Sequence, residues 1–250
     1  MRGLRGLIWG ALALTLAGCV QPVAAPVPQA APVAPAPLPM LSPRAAADNF
    51  ITVVDRVEPV AERLCQQRSG GRAPCDLQIA IDSRFDQPPN AFQTVDEAGR
   101  PVIGFTLALI ADARNADEIA FVLGHEASHH ILGHIARQQE TAMRGAVMGS
   151  VLGQITGADA ATLDQLQRMG ATLGARGYSK AYELEADAMG AEIAWAAGYD
   201  PVLGAGFFSR LPDPGDAFLG SHPPNSQRQA QVAAVVAQLR AAGVQPGAGL

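Results

Sequence analysis

The sequence predicts a mostly helical α+β domain with a small β-sheet. Segments with apolar residues at helical spacing account for most of the chain after residue 45. Strand-like segments are confined to residues 77–106, where LQIAIDS alternates as a strand does. Two more such segments, NAFQTV and PVIGFT, flank the sequence DEAGR and predict a hairpin turned at Gly99. We therefore expect helices packed with one small sheet.

The N-terminal segment predicts export and lipid anchoring. Residues 1–18 have the pattern of a secretory signal peptide, because two arginines precede an apolar run too short for a permanent membrane span. Their end, LAGC, resembles a bacterial lipobox, so Cys19 is expected to be lipidated and to hold the protein on a membrane. Residues 19–46 are rich in Ala and Pro and predict an extended tether, and residues 47–250 form the predicted domain. Val20 follows the cysteine instead of an inner-membrane retention aspartate, which favours the outer membrane, facing the periplasm.

The charge balance and the cysteines narrow the classes of function. The chain has 18 basic and 23 acidic residues and no basic run. This argues against nucleic-acid binding, which needs a basic face. Cys65 and Cys75 flank a Gly-rich turn, and no histidine lies nearby in the sequence. In an oxidising compartment they predict a disulfide more than a metal pair.

The predicted helices follow in order along the chain. The first lies within residues 45–67, with Asp48 or Asn49 as its N-cap. A long helix begins at Asn115, which forms a possible capping box with Glu118, and runs through the histidine-rich stretch. Further helices are expected at residues 141–177 (Gly/Ala-rich and loosely packed), 179–198, 202–211 and 226–243.

The stretch GHEASHHILGH contains four of the five histidines. His125 and His129 lie one helical turn apart and share a face, with Glu126 beside the first. This is the H-E-x-x-H pattern, in which two imidazoles bind Zn²⁺ and the glutamate acts as general base. On a continuous helix, His130 and His134 would point roughly 140° and 180° away from His125, so we expect packing or outer-shell roles for both.

A catalytic zinc needs a third protein ligand and one open position. The stretch lacks the later histidine of the metzincin arrangement, and His222 is the only histidine elsewhere, so a distant carboxylate is favoured. Glu183 and Asp187 are four residues apart on a predicted helix and share a face, whereas Glu185 faces elsewhere. We expect Glu183 to complete a site for one zinc per chain, and Asp187 to orient His125 by accepting its second N–H.

Five motifs carry a resemblance to a known family. They are NAF at Asn90, HEASHHILGH at His125, YSKAYELEAD at Tyr178, AGYDP at Ala197 and SHPPNSQR at Ser221. Over about residues 90–228 the chain resembles the M48 family of zinc metallopeptidases, and within it the bacterial periplasmic lipoproteins. The resemblance implies a zincin-like (gluzincin) domain with a small hairpin beside the active-site helix. It also implies zinc held by the two H-E-x-x-H histidines and Glu183, with Glu126 as base.

The resemblance implies catalytic roles for two later residues. In some periplasmic relatives the histidine of the His-Pro motif covers the zinc, so His222 is either a displaceable fourth ligand or a substrate contact. Arg228 matches a family arginine near the site, where a cation would stabilise an oxyanion.

The expected function is zinc-dependent endopeptidase activity on envelope proteins, in protein quality control at the membrane. The expected partners are protein or peptide substrates, with the strand near Pro101–Thr106 binding an extended peptide as an added strand. One alternative is a proteolytically silent metal-binding chaperone or assembly factor of the envelope. A purely structural zinc site is disfavoured, since it would leave Glu126 without a chemical role.

Overall fold

The structure, a computed structural model, describes residues 38–177, 179–213 and 223–248. The predicted signal peptide, most of the predicted tether, Cys19 and His222 lie outside the described residues.

The described residues confirm the mostly helical α+β architecture with one small sheet. The elements are α1 Pro43–Ser69, β1 Gln78–Asp82, β2 Ala91–Val95, β3 Pro101–Thr106, α2 Leu107–Asp112, α3 Ala116–Ile131, α4 His134–Ile155, α5 Ala160–Gly177, α6 Ser179–Ala196, α7 Pro201–Gly204, a 3₁₀ segment Ala205–Arg210 and α8 Asn225–Ala241. The helix predicted at residues 202–211 is thus a single α-turn followed by the 3₁₀ segment.

Helix α1 begins before the predicted N-cap. Ser42, and neither Asp48 nor Asn49, caps it by accepting a hydrogen bond from the backbone N–H of Ala45. Pro43 occupies the first helical position, where its missing N–H costs nothing and its fixed φ suits the helix. The Ser-Pro pair therefore starts the helix earlier than the apolar spacing indicated.

The sheet has the strand order β1-β3-β2, with β3 in the centre. Strand β3 is parallel to β1 and antiparallel to β2, and the predicted β2–β3 hairpin is confirmed, with Gly99 at φ 78° in its turn. Because β3 is hydrogen-bonded on both sides, it cannot accept an added strand along its length. The prediction that a peptide pairs with Pro101–Thr106 was therefore wrong. In the described sheet β1 and β2 are the two outer strands, and each has one edge that is not paired with another described strand.

The core lies where α1, α3 and α6 pack with the sheet. Its fully buried side chains include Val53 and Val57 of α1, Phe105 of β3, Phe121 of α3 and Ile193 of α6. Burial of each such side chain stabilises the fold by about 1.5–3 kcal/mol relative to exposure. The helix with the paired histidines is thereby fixed within the core.

Helix α3 ends at Ile131, so the continuous helix predicted through the histidine-rich stretch was wrong. Gly133 adopts a left-handed conformation, with φ 65°, and its N–H donates to the carbonyl of His130. A glycine tolerates this conformation without steric cost, which allows the chain to turn before α4 begins at His134. The turn changes the direction in which His134 points.

Helices α4 and α5 pack against each other in an antiparallel arrangement, with glycines at their contact. The backbones of Gly145 and Gly170 are in direct contact, and Gly149 lies equally close to the backbone at Leu166. The helical prediction for residues 141–177 is confirmed, whereas loose packing is not, since no side chain separates the two helices at these points. In the described part of the chain, no helix combines the length and apolarity needed to cross a membrane.

Candidate metal centre

Helix α3 presents His125, Glu126 and His129 towards one cavity. The side chain of Asn115 caps the helix by accepting from the N–H of Glu118, as predicted. The Nε2 atoms of His125 and His129 lie 3.1 Å apart, with the His125 side chain almost fully buried. The one-turn spacing therefore brings two imidazole nitrogens to one point.

Helix α6 brings Glu183 to the same point. Its Oε2 lies 3.6 Å from Nε2 of His125, and its Oε1 lies 3.6 Å from Nε2 of His129. One ligand atom from each of the three residues lies within 4.8 Å of the others. The predicted metal ligands are thus brought together by two helices that are distant in sequence.

The approach of α3 and α6 depends on two glycines. A Cβ at Gly190 would lie 2.8 Å from the backbone nitrogen of His125, and a Cβ at Gly124 would lie 2.8 Å from the carbonyl oxygen of Gly190. Both distances are too short for an alanine. The helices therefore meet backbone to backbone about two turns along α6 from Glu183.

Asp187 lies one turn after Glu183 and is fully buried. Its Oδ1 is 3.0 Å from Nδ1 of His125, where sequence reasoning placed the group that orients this ring. Burial opposes the charged form of His125, but the hydrogen bond and the charge of Asp187 prevail and raise the pKa of this imidazole. The contact directs the Nε2 atom of His125 towards Glu183.

Arg228 of α8 holds Asp187 in place. Its Nε and Nη2 donate to the two carboxylate oxygens of Asp187 at 2.8 and 2.7 Å, and its guanidinium lies 3.9 Å from the ring centroid of Phe208. Nη2 is also 3.4 Å from Oε2 of Glu183. Arg228 thus lies against two carboxylates of the site. Sequence reasoning did not predict these contacts. The expected role of Arg228 in stabilising an oxyanion stays a prediction.

A second set of contacts surrounds His129. The sequence predicted a packing or outer-shell role for His134, but it did not predict the contact of His134 with His129 or the contribution of Glu185. Nδ1 of His134 lies 2.9 Å from Nδ1 of His129, and Nε2 of His134 lies 3.2 Å from Oε2 of Glu185. Burial and the neighbouring His125 lower the pKa of His129 to about 3. Burial also lowers the pKa of His134, despite its hydrogen bond to Glu185. Gly133 was the sequence signal for these contacts, because a glycine directly before His134 can end the helix and change the direction of the His134 side chain.

The site opens into a cavity of about 450 Å³. Glu126 lines it beside the two α3 histidines, and the edge strand β2 forms another wall through Ala91–Gln93. Apolar side chains complete the lining, among them Phe121, Phe208 and Leu211. The cavity can therefore admit an extended, partly apolar chain next to the convergent ligand atoms.

The donor set fits zinc. Two imidazole nitrogens and one carboxylate are the ligands of a known class of catalytic zinc site, and both histidines have an outer hydrogen-bonding partner, as zinc ligands do. His130 points away, with its Nε2 2.6 Å from the carbonyl oxygen of Pro74. The cysteines take no part, because Cys65 and Cys75 form the predicted disulfide.

The comparison with protein families places the chain in a known family. The model of peptidase family M48 matches residues 55–236, which is more than half of the chain and includes every described residue of the site. A search of curated proteins found no match.

Proposed function

Because the chain belongs to peptidase family M48, we propose that it is a zinc-dependent endopeptidase. The observation that carries the proposal is the convergence of His125, His129 and Glu183 beside a cavity that Glu126 also lines. Zinc bound there would act as a Lewis acid and activate water for attack on a peptide carbonyl.

The residues of the chain divide the chemistry between them. Glu126 accepts the proton of the attacking water and delivers it to the leaving amine, as a carboxylate within reach of both can do. Asp187 keeps His125 in one orientation, and Arg228 keeps Asp187 in place by donating hydrogen bonds to its carboxylate. Arg228 or His222 stabilises the oxyanion in this proposal, in line with the family resemblance.

Substrate binding is proposed along strand β2. This strand has one edge that is unpaired in the sheet and lines the cavity through Ala91–Gln93. An extended peptide bound there by main-chain hydrogen bonds would pass the metal ligands with its side chains facing the apolar wall.

The cellular role is proposed from the N-terminal sequence. A lipid on Cys19 and the tether of residues 19–46 would hold the domain at the outer membrane, facing the periplasm. Its substrates would then be membrane-associated or misassembled envelope proteins, and its role protein quality control.

Glu126→Gln tests the proposed activity. The amide cannot accept the proton, so cleavage of unfolded casein by the chain from Cys19 onward should fall by about 100-fold or more. Zinc content should stay at one ion per chain, because Glu126 is not among the convergent ligands.

Glu140→Gln is the matched control, since Glu140 lies on the exposed surface of α4 and pairs with Arg144. It should leave cleavage unchanged. If Glu126→Gln cleaved casein as fast as wild type, Glu126 would not be the general base. If zinc-loaded wild type showed no cleavage, the silent chaperone would be favoured.

A further inference from the structure

His129, His134 and Glu185 form a continuous hydrogen-bonded row that ends at the candidate metal ligands. The two Nδ1 atoms of the histidines are 2.9 Å apart, and the second contact, from Nε2 of His134 to Glu185, is 3.2 Å. For His129 this row takes the place that the direct contact with Asp187 has for His125. Each ligand histidine thus has an outer partner, but only the partner of His129 is another imidazole.

The row allows only one arrangement of protons when His129 coordinates through Nε2. Its Nδ1 must then carry the hydrogen, because a neutral imidazole has one N–H. Nδ1 of His134 must be the acceptor, so the hydrogen of His134 is on Nε2, where the carboxylate of Glu185 accepts it. Glu185 therefore selects the tautomer of His134, and His134 selects that of His129.

The surroundings fix the ring of His134 in this position. The ring is buried and stacks on Tyr182, with centroids 4.8 Å apart and an interplanar angle of 14°. Arg137 donates to Oε2 of Glu185 at 2.6 Å, and its guanidinium lies over the ring of Tyr182, 4.3 Å from the centroid. A residue that only filled space would not need a carboxylate and a cation arranged behind it.

We propose that His134 is a positioning residue of the metal centre, which accepts the Nδ1–H of His129 and presents Nε2 of that ring to the metal, with Glu185 holding His134 in the accepting tautomer. The inference rests on the metal centre of the proposed function and adds a residue to it. Outer-shell partners of metal-binding histidines typically contribute about 10–100-fold to metal affinity.

The test compares two substitutions of similar size at one position. His134→Asn places its side-chain oxygen where Nδ1 stood and keeps an acceptor for His129, whereas His134→Leu fills the space without one. Zinc affinity of the full chain is measured by competition with a chromogenic chelator. We expect His134→Leu to bind zinc about 10–100-fold more weakly than wild type and His134→Asn to retain most of the affinity.

A merely structural role predicts the opposite order, because leucine fills a buried site at least as well as asparagine. Equal zinc affinities of wild type and His134→Leu, or weaker binding by His134→Asn than by His134→Leu, would overturn the proposal. His130→Leu is the control, since His130 contacts Pro74 and not His129, and its zinc affinity should equal that of wild type.

A second variant covers the case in which His134→Leu does not fold. Glu185→Leu alters a side chain that is 42% exposed, and it removes the acceptor that fixes the tautomer of His134. It should weaken zinc binding by about 10-fold, and unchanged affinity would count against the row. Failure of the proposed function is distinct. Absence of cleavage by zinc-loaded wild type would overturn the peptidase activity and leave the positioning role intact, whereas absence of zinc binding by wild type would overturn both.

Discussion

The most constrained residue of the candidate site is Asp187, a carboxylate with no exposed surface. It contacts His125 on one side and accepts two hydrogen bonds from Arg228 on the other. Arg228 is itself buried, so its charge is compensated mainly within the protein. Such a pair contributes little net stability against an apolar replacement, but removal of one partner leaves the other charge buried.

Asp187→Asn should therefore reduce the free energy of unfolding by about 3 kcal/mol, because Arg228 keeps its charge and loses the carboxylate that accepts two of its hydrogen bonds. Urea denaturation of the metal-free protein measures this change. Asp164→Asn, at an exposed aspartate paired with Arg168 on α5, is the control and should change stability by less than about 0.5 kcal/mol. Equal stability of the two variants would show that Arg228 is compensated elsewhere.

At the scale of elements, the site is a crossing of two helices. α3 supplies two imidazoles and a carboxylate, and α6 supplies Glu183 and Asp187, but neither helix forms the site alone. Their separation is set where Gly124 meets Gly190, since any side chain there would force the backbones apart. Because zinc–ligand bonds are about 2 Å long, a small outward shift of α6 would move the Glu183 carboxylate out of coordination distance.

Gly190→Ala should both destabilise the fold and weaken zinc binding. The added methyl group would lie 2.8 Å from the backbone nitrogen of His125, which cannot rotate away. Overpacking of this kind costs about 1–3 kcal/mol, measured by denaturation, and chelator competition measures the loss of zinc affinity.

The matched control is Gly206→Ala, since a Cβ at Gly206 meets nothing within 4 Å. It should leave both stability and zinc affinity close to those of wild type. If Gly190→Ala bound zinc as tightly as wild type, the prediction would be wrong, and the close approach of the two helices would not be what positions Glu183.

At the scale of the whole molecule, the disulfide joins the end of α1, the longest helix among the described residues, to the segment that leads into β1. Cys65 lies near the end of α1 and Cys75 lies three residues before β1, with Cα atoms 5.7 Å apart. The bond closes a loop of ten residues' separation, which restricts the unfolded chain more than the folded one. Neither cysteine lines the cavity of the metal centre, so the effect of the disulfide should fall on stability and not on metal binding.

Replacement of Cys65 and Cys75 by alanine should lower the free energy of unfolding by about 2–3 kcal/mol, from loop-closure entropy. Thermal or urea denaturation measures this, and zinc affinity should stay unchanged. A reducing agent should destabilise wild type by a similar amount and leave the double variant unaffected. A matching loss of zinc affinity would instead couple this loop to the metal centre, through the contact between His130 and Pro74.

Features that depend on near neighbours in the chain were accessible from the sequence. The sharing of one face by His125 and His129 follows from the helical period, and the disulfide follows from two cysteines flanking a short turn. The hairpin at Gly99 is likewise a local property. In each case the residues that decide the structure are within about ten positions of each other.

The tertiary structure alone decided how these pieces meet. The left-handed Gly133 ended α3 and turned His134 back onto His129, and packing at Gly190 brought α6 close enough for Glu183 to face both rings. Helical periodicity could order residues around one axis, but it carries no information on where two axes cross. The physical reason is that backbone contact between distant glycines, and the burial it permits, depends on the whole packed core.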